Sequence, residues 1–184
     1  MQKYTPFFIL VSLIIGVVFL GCDLTDSTTG FPPDRSVVLH KYTFESPADT
    51  AGWHGHGAVQ LREDVPMNGG EHSLYVSGGC IVPHFVLDLP PIYTDSYLQL
   101  RCWGKVLIRG GVVSLGIIGD SISTGTAFAL TDSTWYRYTS ETVFYSAGDS
   151  IELLLNSGGI VPGGILVDNI EIVKVTAPVD SPQN

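Results

Sequence analysis

The sequence predicts an all-β domain, a two-sheet antiparallel sandwich of the jelly-roll kind, and three observations carry that expectation. From Ser36 to Val175 the chain runs as about ten short segments rich in β-branched and aromatic residues, each closed by Gly, Pro, Asn or Ser. With 21 Gly and 11 Pro and only 15% charged residues, the composition favours strands and tight turns. The region shows no convincing helical period and no solenoid repeat. Many closely spaced strands without crossover helices pack as a sandwich.

The elements follow in order. Ser36 to Phe44 is the first expected strand, and a loop then carries Trp53 and His54-Gly55-His56. Ala58 to Arg62 is the second strand. Val65 to Gly70 is a turn, its Asn68-Gly69 pair supplying positive φ. Ser73 to Ser77 and Ile81 to Leu89 come next, the latter stopped by Pro90-Pro91. Tyr97 to Leu107 alternates well, with Leu98, Leu100 and Cys102 on one face and Gln99, Arg101, Trp103 and Lys105 on the other. Val112 to Ile118, Thr126 to Leu130, Trp135 to Thr142 or on to Tyr145, and Ser150 to Leu155 lead to the last strand, Gly163 to Val175. There the polar pair Asp168-Asn169 interrupts an apolar run on both faces. Such an interruption implies a bulge, or a polar role for Asp168 at a sheet rim.

The N-terminus reads as an address. Lys3 precedes an apolar run from Phe7 to Leu20, too short to span a bilayer comfortably. Phe19-Leu20-Gly21-Cys22, followed by polar residues, resembles the lipobox of bacterial lipoproteins, although Phe19 stands where Leu is commonest. That resemblance implies a signal peptide over 1–21, a lipidated Cys22 opening a tether over 22–35, the β domain over 36–176 and a tail over 177–184. It also implies a membrane-anchored place in the cell envelope, on the periplasmic side or the cell surface. Without the leader, the nine Lys and Arg become eight against 18 Asp and Glu, a net charge of −10. No basic block occurs, so binding to nucleic acid or anionic lipid through charge is disfavoured. Cys80 and Cys102 would then be the remaining cysteines, either paired as a disulfide or left as thiols.

Candidate chemistry is sparse. Gly119-Asp120-Ser121-Ile122 resembles the nucleophile block of the GDS-type hydrolases, which would make Ser121 the nucleophile. That chemistry needs a base, yet the last histidine, His84, lies upstream and no Asp-x-x-His follows. The same four residues recur at Gly148, where Gly, Asp and Ser are ordinary turn residues. The turn reading is preferred, and the chain reads as no enzyme. His54-Gly55-His56 offers two imidazoles without further ligands at set spacing, so it reads as a loop. No pair of carboxylates is singled out for glycoside hydrolysis.

Three stretches taken together carry a family resemblance: Tyr42-Thr43-Phe44-Glu45 with Gly52-Trp53; Gly69 to Gly78; and Ile165 to Ile172. In that order and spacing they resemble the jelly-roll carbohydrate-binding modules of the cellulose- and xylan-binding type, within the galactose-binding-like superfamily. The strands at Tyr97 to Lys105 and at Trp135-Tyr136 fall where that family has equivalents. The resemblance implies a structural calcium between the first and last strands, with Glu45 and Asp168 as side-chain ligands and backbone carbonyls near Glu71 to Ser73 assisting. It also implies a polysaccharide or other glycan partner, bound by aromatic rings flanked by polar groups. Trp103 is the best platform, with Gln99 and Arg101 on its face. Trp135, Tyr136, Tyr138 and Tyr93 follow, and Trp53 is assigned to the core. The other reading of the same fold is an envelope interaction protein with no sugar site.

Overall fold

In the computed structural model, which describes residues 36–56, 60–77, 84–119, 123–158 and 164–177, the chain is almost entirely strand. The twelve strands among the described residues are β1 (Val37–Tyr42), β2 (His54–Gly55), β3 (Gln60–Arg62), β4 (Ser73–Ser77), β5 (His84–Leu89), β6 (Ser96–Ile108), β7 (Gly111–Ile118), β8 (Ser123–Leu130), β9 (Tyr136–Thr139), β10 (Val143–Tyr145), β11 (Ser150–Ser157) and β12 (Gly164–Val175). A single helical turn, α1 (Pro47–Thr50), follows β1. It was not expected; Pro47 in its first turn suits a helix start, where a missing N–H costs nothing. The expected leader and tether, Cys22, Cys80, Ser121 and most of the expected tail lie outside the described residues.

All strand pairs are antiparallel and form two sheets. One runs β10-β6-β12-β4-β3, with β1 also on β12 and β9 also on β6; the other runs β2-β5-β11-β7-β8. The sandwich follows from alternation. Leu98, Leu100 and Cys102 of β6, Leu74 and Val76 of β4, and four residues of β12 face Phe85, Leu87, Ile151, Leu153, Leu155, Val113, Leu115 and Ile117 of the other sheet, all buried. At about 25 cal/mol per Å² of apolar surface, this interleaved layer is the main source of stability. Trp53 packs against it through Tyr42 and Phe44, its ring centre 6.2 and 6.5 Å from theirs, as expected of a core residue. Cys102 is a free thiol in this core, so the structure draws no bridge from it to Cys80; burial pushes the thiol well above its usual range. Small, apolar and inward-facing, it acts as a packing residue.

The segment from Trp135 to Tyr145 is not one strand. β9 and β10 share the same edge of β6, at Arg101 to Gly104 and at Ser96 to Leu98. Between them the Leu100 N–H donates to the Ser140 hydroxyl at 3.0 Å. A side-chain oxygen stands in for the ladder there, which breaks the strand.

In β12 the irregular alternation is a bulge. Asp168 pairs with Trp103 and Glu171 with Arg101, so three steps on β12 match two on β6. The inward set is accordingly Ile165 and Val167 before the bulge, then Ile170 and Ile172 after it. Asn169 absorbs the extra residue at φ 46°, a left-handed conformation that Asn tolerates.

Candidate functional site

The bulge sits where two other strands stop. On one side of β12, β4 pairs only with Gly164 to Val167 and β1 only with Ile170 to Lys174. The gap between them falls at Asp168-Asn169. Into it come the segment after β1, Phe44-Glu45, and the turn before β4, Pro66 to His72. The turn is closed by the Gly69 N–H donating to Pro66 O at 2.8 Å, with Asn68 at φ 64° as its Asn-Gly sequence predicts. Phe44 is buried at φ 62°, a backbone cost of roughly 1–3 kcal/mol. That twist turns its neighbour Glu45 towards the gap.

Two carboxylates meet consecutive glycines there. A Cβ on Gly69 would lie 2.5 Å from Asp168 Oδ2, and one on Gly70 would collide with Glu45 Oε1. Glu45 accepts hydrogen bonds from the Glu71 N–H at 3.0 Å and the His72 N–H at 2.9 Å. Those two amides hold its carboxyl below the usual range. Asp168 is fully buried, and its hydrogen bonds come from Asn169, at 2.6 Å from the backbone N–H and 3.1 Å from the side-chain amide. Burial, with the charge of Glu45 adding to it, raises its carboxyl to about 7. Glu45, Glu71 and His72 also bring ligand atoms within 4.8 Å of one another. Two backbone N–H groups of the Glu71–His72 segment point at Glu45. Glu45 and Asp168 carry carboxylate oxygens of the hard kind that Ca²⁺ takes, Asp168 buried and outside the Glu45–Glu71–His72 group.

The same bulge walls a cleft on the outer face of the larger sheet. A space of about 250 Å³ is lined by Met67, Asn68, Trp103, Arg137, Asn169 and Glu171. Trp103 comes from β6, Arg137 from its β9 partner position and Glu171 from β12. Arg137 donates to Glu171 at 3.3 Å, and Lys41 pairs with the other Glu171 oxygen at 3.1 Å. An indole thus stands among cationic, anionic and amide groups.

The remaining expected contacts are distributed unevenly. Gln99 and Arg101 share the Trp103 face but are tied to each other, Arg101 Nε donating to Gln99 Oε1 at 2.9 Å; Gln99 also donates to Ser140 O at 3.1 Å. Trp135 donates to Asp64 Oδ1 at 2.9 Å, beside the Lys105–Asp64 pair at 2.6 Å. Tyr136 is not brought to Trp103: it is paired with Gly104, on the opposite face, and its ring lies against Tyr138 at 5.1 Å. Tyr138 is buried, its hydroxyl donating to Asp132 at 2.6 Å, and Tyr93 is exposed in a loop. Met67, Arg137 and Glu171 were not singled out by sequence, and Asn68 and Asn169 only as turn and bulge residues. Only Arg137, two residues from Trp135 in an alternating strand, carried a readable signal.

Comparison with known proteins places the fold. No protein-family model matches the chain, and no curated protein matches it. Among solved structures, it is similar to "Family 16 Carbohydrate Binding Module-2" at TM-score 0.55 and 16% identity, over 67% of this chain and 91% of that one. It is similar to the C-terminal family 22 carbohydrate-binding module of Clostridium thermocellum Xyn10B at TM-score 0.56 and 11% identity, over 78% and 96%. The N-terminal family 22 and catalytic modules of the same xylanase, in complex with xylohexaose, match at TM-score 0.54 and 11% identity; 79% of this chain covers 30% of that one. The fold is a two-sheet jelly roll similar to that of these modules.

Proposed function

We propose that this chain is a non-catalytic glycan-binding module, held at the cell envelope by a lipid on Cys22. The observation that carries the reading is the Trp103 cleft. An indole offers a flat apolar surface for a sugar ring, while Asn68, Arg137, Asn169 and Glu171 offer donors and acceptors for its hydroxyls. The fold neighbours support it, one of them having been solved with xylohexaose. Calcium at Glu45 and Asp168 fits the same scheme. The ion would neutralise the buried Asp168 and fix the bulge, and the bulge sets Asn169 and Glu171 in the cleft wall. Calcium would act as a staple here, with no part in bond breaking.

The test is retention of the detergent-solubilised full chain on xylan, cellulose and β-glucan gels, with calcium or chelator, alongside Trp103→Ala. The expected result is calcium-supported retention on at least one polysaccharide, weakened roughly tenfold or more in the variant, as for a central aromatic anchor. Retention on none of them, or retention untouched by the substitution, would turn the reading towards an envelope protein that binds other proteins.

A further inference from the structure

One end of the larger sheet gathers apolar side chains that neither the core nor the Trp103 cleft uses. Val37 pairs with Lys174 and Val38 with Val173, where β1 starts and β12 closes. Beside them, Val175 pairs with Tyr97 and Tyr97 with Phe144. The rings of Tyr97 and Phe144 meet edge to face, with centres 5.3 Å apart. The loop before β6 joins the group, because Lys174 Nζ donates to the Thr94 hydroxyl at 3.4 Å. Its neighbour Tyr93 is 82% exposed, and Val37, Val38 and Phe144 are exposed as well. Single apolar residues on a surface need no explanation, but a group of them at one end marks a contact surface.

The position of this end in the chain indicates what covers it. β1 begins just after residues 22–35. Fourteen residues reach at most about 50 Å. A lipid on Cys22 would therefore present the bilayer to this end of the sandwich at high effective concentration. The residue types suit the boundary between headgroups and acyl chains. Aromatic rings settle there, and a lysine such as Lys174 keeps its stem in the apolar layer and its ammonium in water. Charge limits the kind of lipid. Asp95, which accepts from the Ala147 N–H at 2.9 Å, and Asp149, whose carbonyl accepts from Tyr145, lie at the same end and outweigh Lys174. Anionic headgroups gain no attraction from that balance.

We propose that this end of the sandwich docks on the surface of a zwitterionic bilayer, with Tyr93 and Phe144 seated at the headgroup–acyl boundary and Val37 and Val38 beside them. The docking rests on the lipid anchor at Cys22 and is independent of the glycan reading. Six residues of β6, about 20 Å, separate Tyr97 from Trp103, so the cleft stays clear of the lipid.

The experiment places the full chain, purified in detergent from a bacterium that processes lipoproteins, in phosphatidylcholine–phosphatidylethanolamine vesicles with brominated acyl chains, which quench tryptophan emission. Tyr93→Trp, Phe144→Trp and, on the smaller sheet, Leu154→Trp are compared with the parent. Mass spectrometry reads the acyl group on Cys22. The emission added at 93 and 144 should shift to the blue and be quenched, as for rings about 5–10 Å into the boundary. That added at 154 should do neither, and phosphatidylglycerol should not deepen the quenching. An acylated chain in which neither added ring is quenched, or all three are quenched alike, overturns the docking and leaves the anchor standing. Quenching that requires phosphatidylglycerol overturns it too, since charge would then be the attraction. A chain without an acyl group overturns the anchor, and the docking with it.

Discussion

The two outer faces of this sandwich are built by the same alternation and yet carry different chemistry. On the larger sheet, the outward positions of β6 and its partners are Tyr97, Gln99, Arg101, Trp103 and Lys105, facing Glu171, Arg137 and Phe144. On the smaller sheet, the outward positions of β11 and β7 are Glu152, Leu154, Ser114 and Gly116, with Gly125 and Ala127 of β8 opposite them. Among the described residues, that face has no outward Phe, Tyr or Trp. A shallow space of about 270 Å³ there is lined by Ser114, Leu115, Gly116, Gly125, Thr126 and Ala127, which offer hydroxyls and backbone but no ring. Both inner faces are apolar, aliphatic residues joined by Phe85, Tyr138 and Tyr145. The fold thus fixes what lies between the sheets, while recognition is written in the residues that alternate away from the core.

The sharpest way to break this comparison is to disarm each face in turn. Trp103→Ala is expected to cost roughly tenfold or more in polysaccharide affinity, whereas Leu154→Ala should leave it within about twofold. Affinity electrophoresis against the retained polysaccharide measures both. If the Leu154 variant loses binding and the Trp103 variant keeps it, the platform is the smaller sheet and the comparison reverses.

A smaller effect, on stability, distinguishes the gap in β12 from the rest of that face. Asp168 titrates at about 7 when folded, against 3.8 as its ordinary value. From about pH 4 to 7 the folded chain therefore holds a proton that the unfolded chain releases, and the contribution of Asp168 to stability falls as pH rises through that window. The difference amounts to about 4 kcal/mol at neutral pH. Glu45 is shifted the other way, so its contribution is present above its ordinary range and is lost only as pH falls through its lowered value. In chelator at pH 7.5, Asp168→Asn should melt no lower than the parent, and its melting temperature should vary less between pH 4 and 7. With calcium added, the parent should gain stability and the variant should not. A parent that grows more stable from pH 4 to 7 in chelator, with a variant that tracks it, would show the carboxylate to be ionised and satisfied without a cation.

Much of the architecture was legible because burial imposes a period of two. The alternation of Tyr97 to Leu107 set the two faces of β6 correctly, and the Asn68-Gly69 turn declared its backbone. The broken alternation at Asp168-Asn169 announced the bulge, since a single extra residue must exchange inward and outward positions beyond it. What stayed hidden depends on register between distant segments. Nothing local to Arg137 states that it will reach Glu171, and nothing at Tyr136 states that it faces away from Trp103. The division of Trp135 to Tyr145 into two strands turns on one hydroxyl, that of Ser140, replacing a ladder carbonyl. His84 meets His56 only because β2, too short to read as a strand, pairs at the edge of the smaller sheet.

The smallest predicted effect separates holding the cleft's shape from holding a ligand. Arg137 is half exposed, and its ion pair with Glu171 competes with the Lys41 pair for the same carboxylate. A pair of that kind contributes about 0.2–1 kcal/mol, since solvent screens it and two long side chains must be ordered. Arg137→Ala should therefore lower the melting temperature only slightly, leaving Lys41 to neutralise Glu171. Its effect on polysaccharide affinity should be several-fold, because the guanidinium lines the cleft beside the indole and supplies fixed donors there. Arg137→Lys keeps the charge but loses the planar fork, so it should match the parent in stability while recovering only part of the affinity. If both variants bind as the parent does, the Arg137–Glu171 pair is surface electrostatics alone, and the glycan's polar contacts must come from Asn68 and Asn169 on the turn and the bulge.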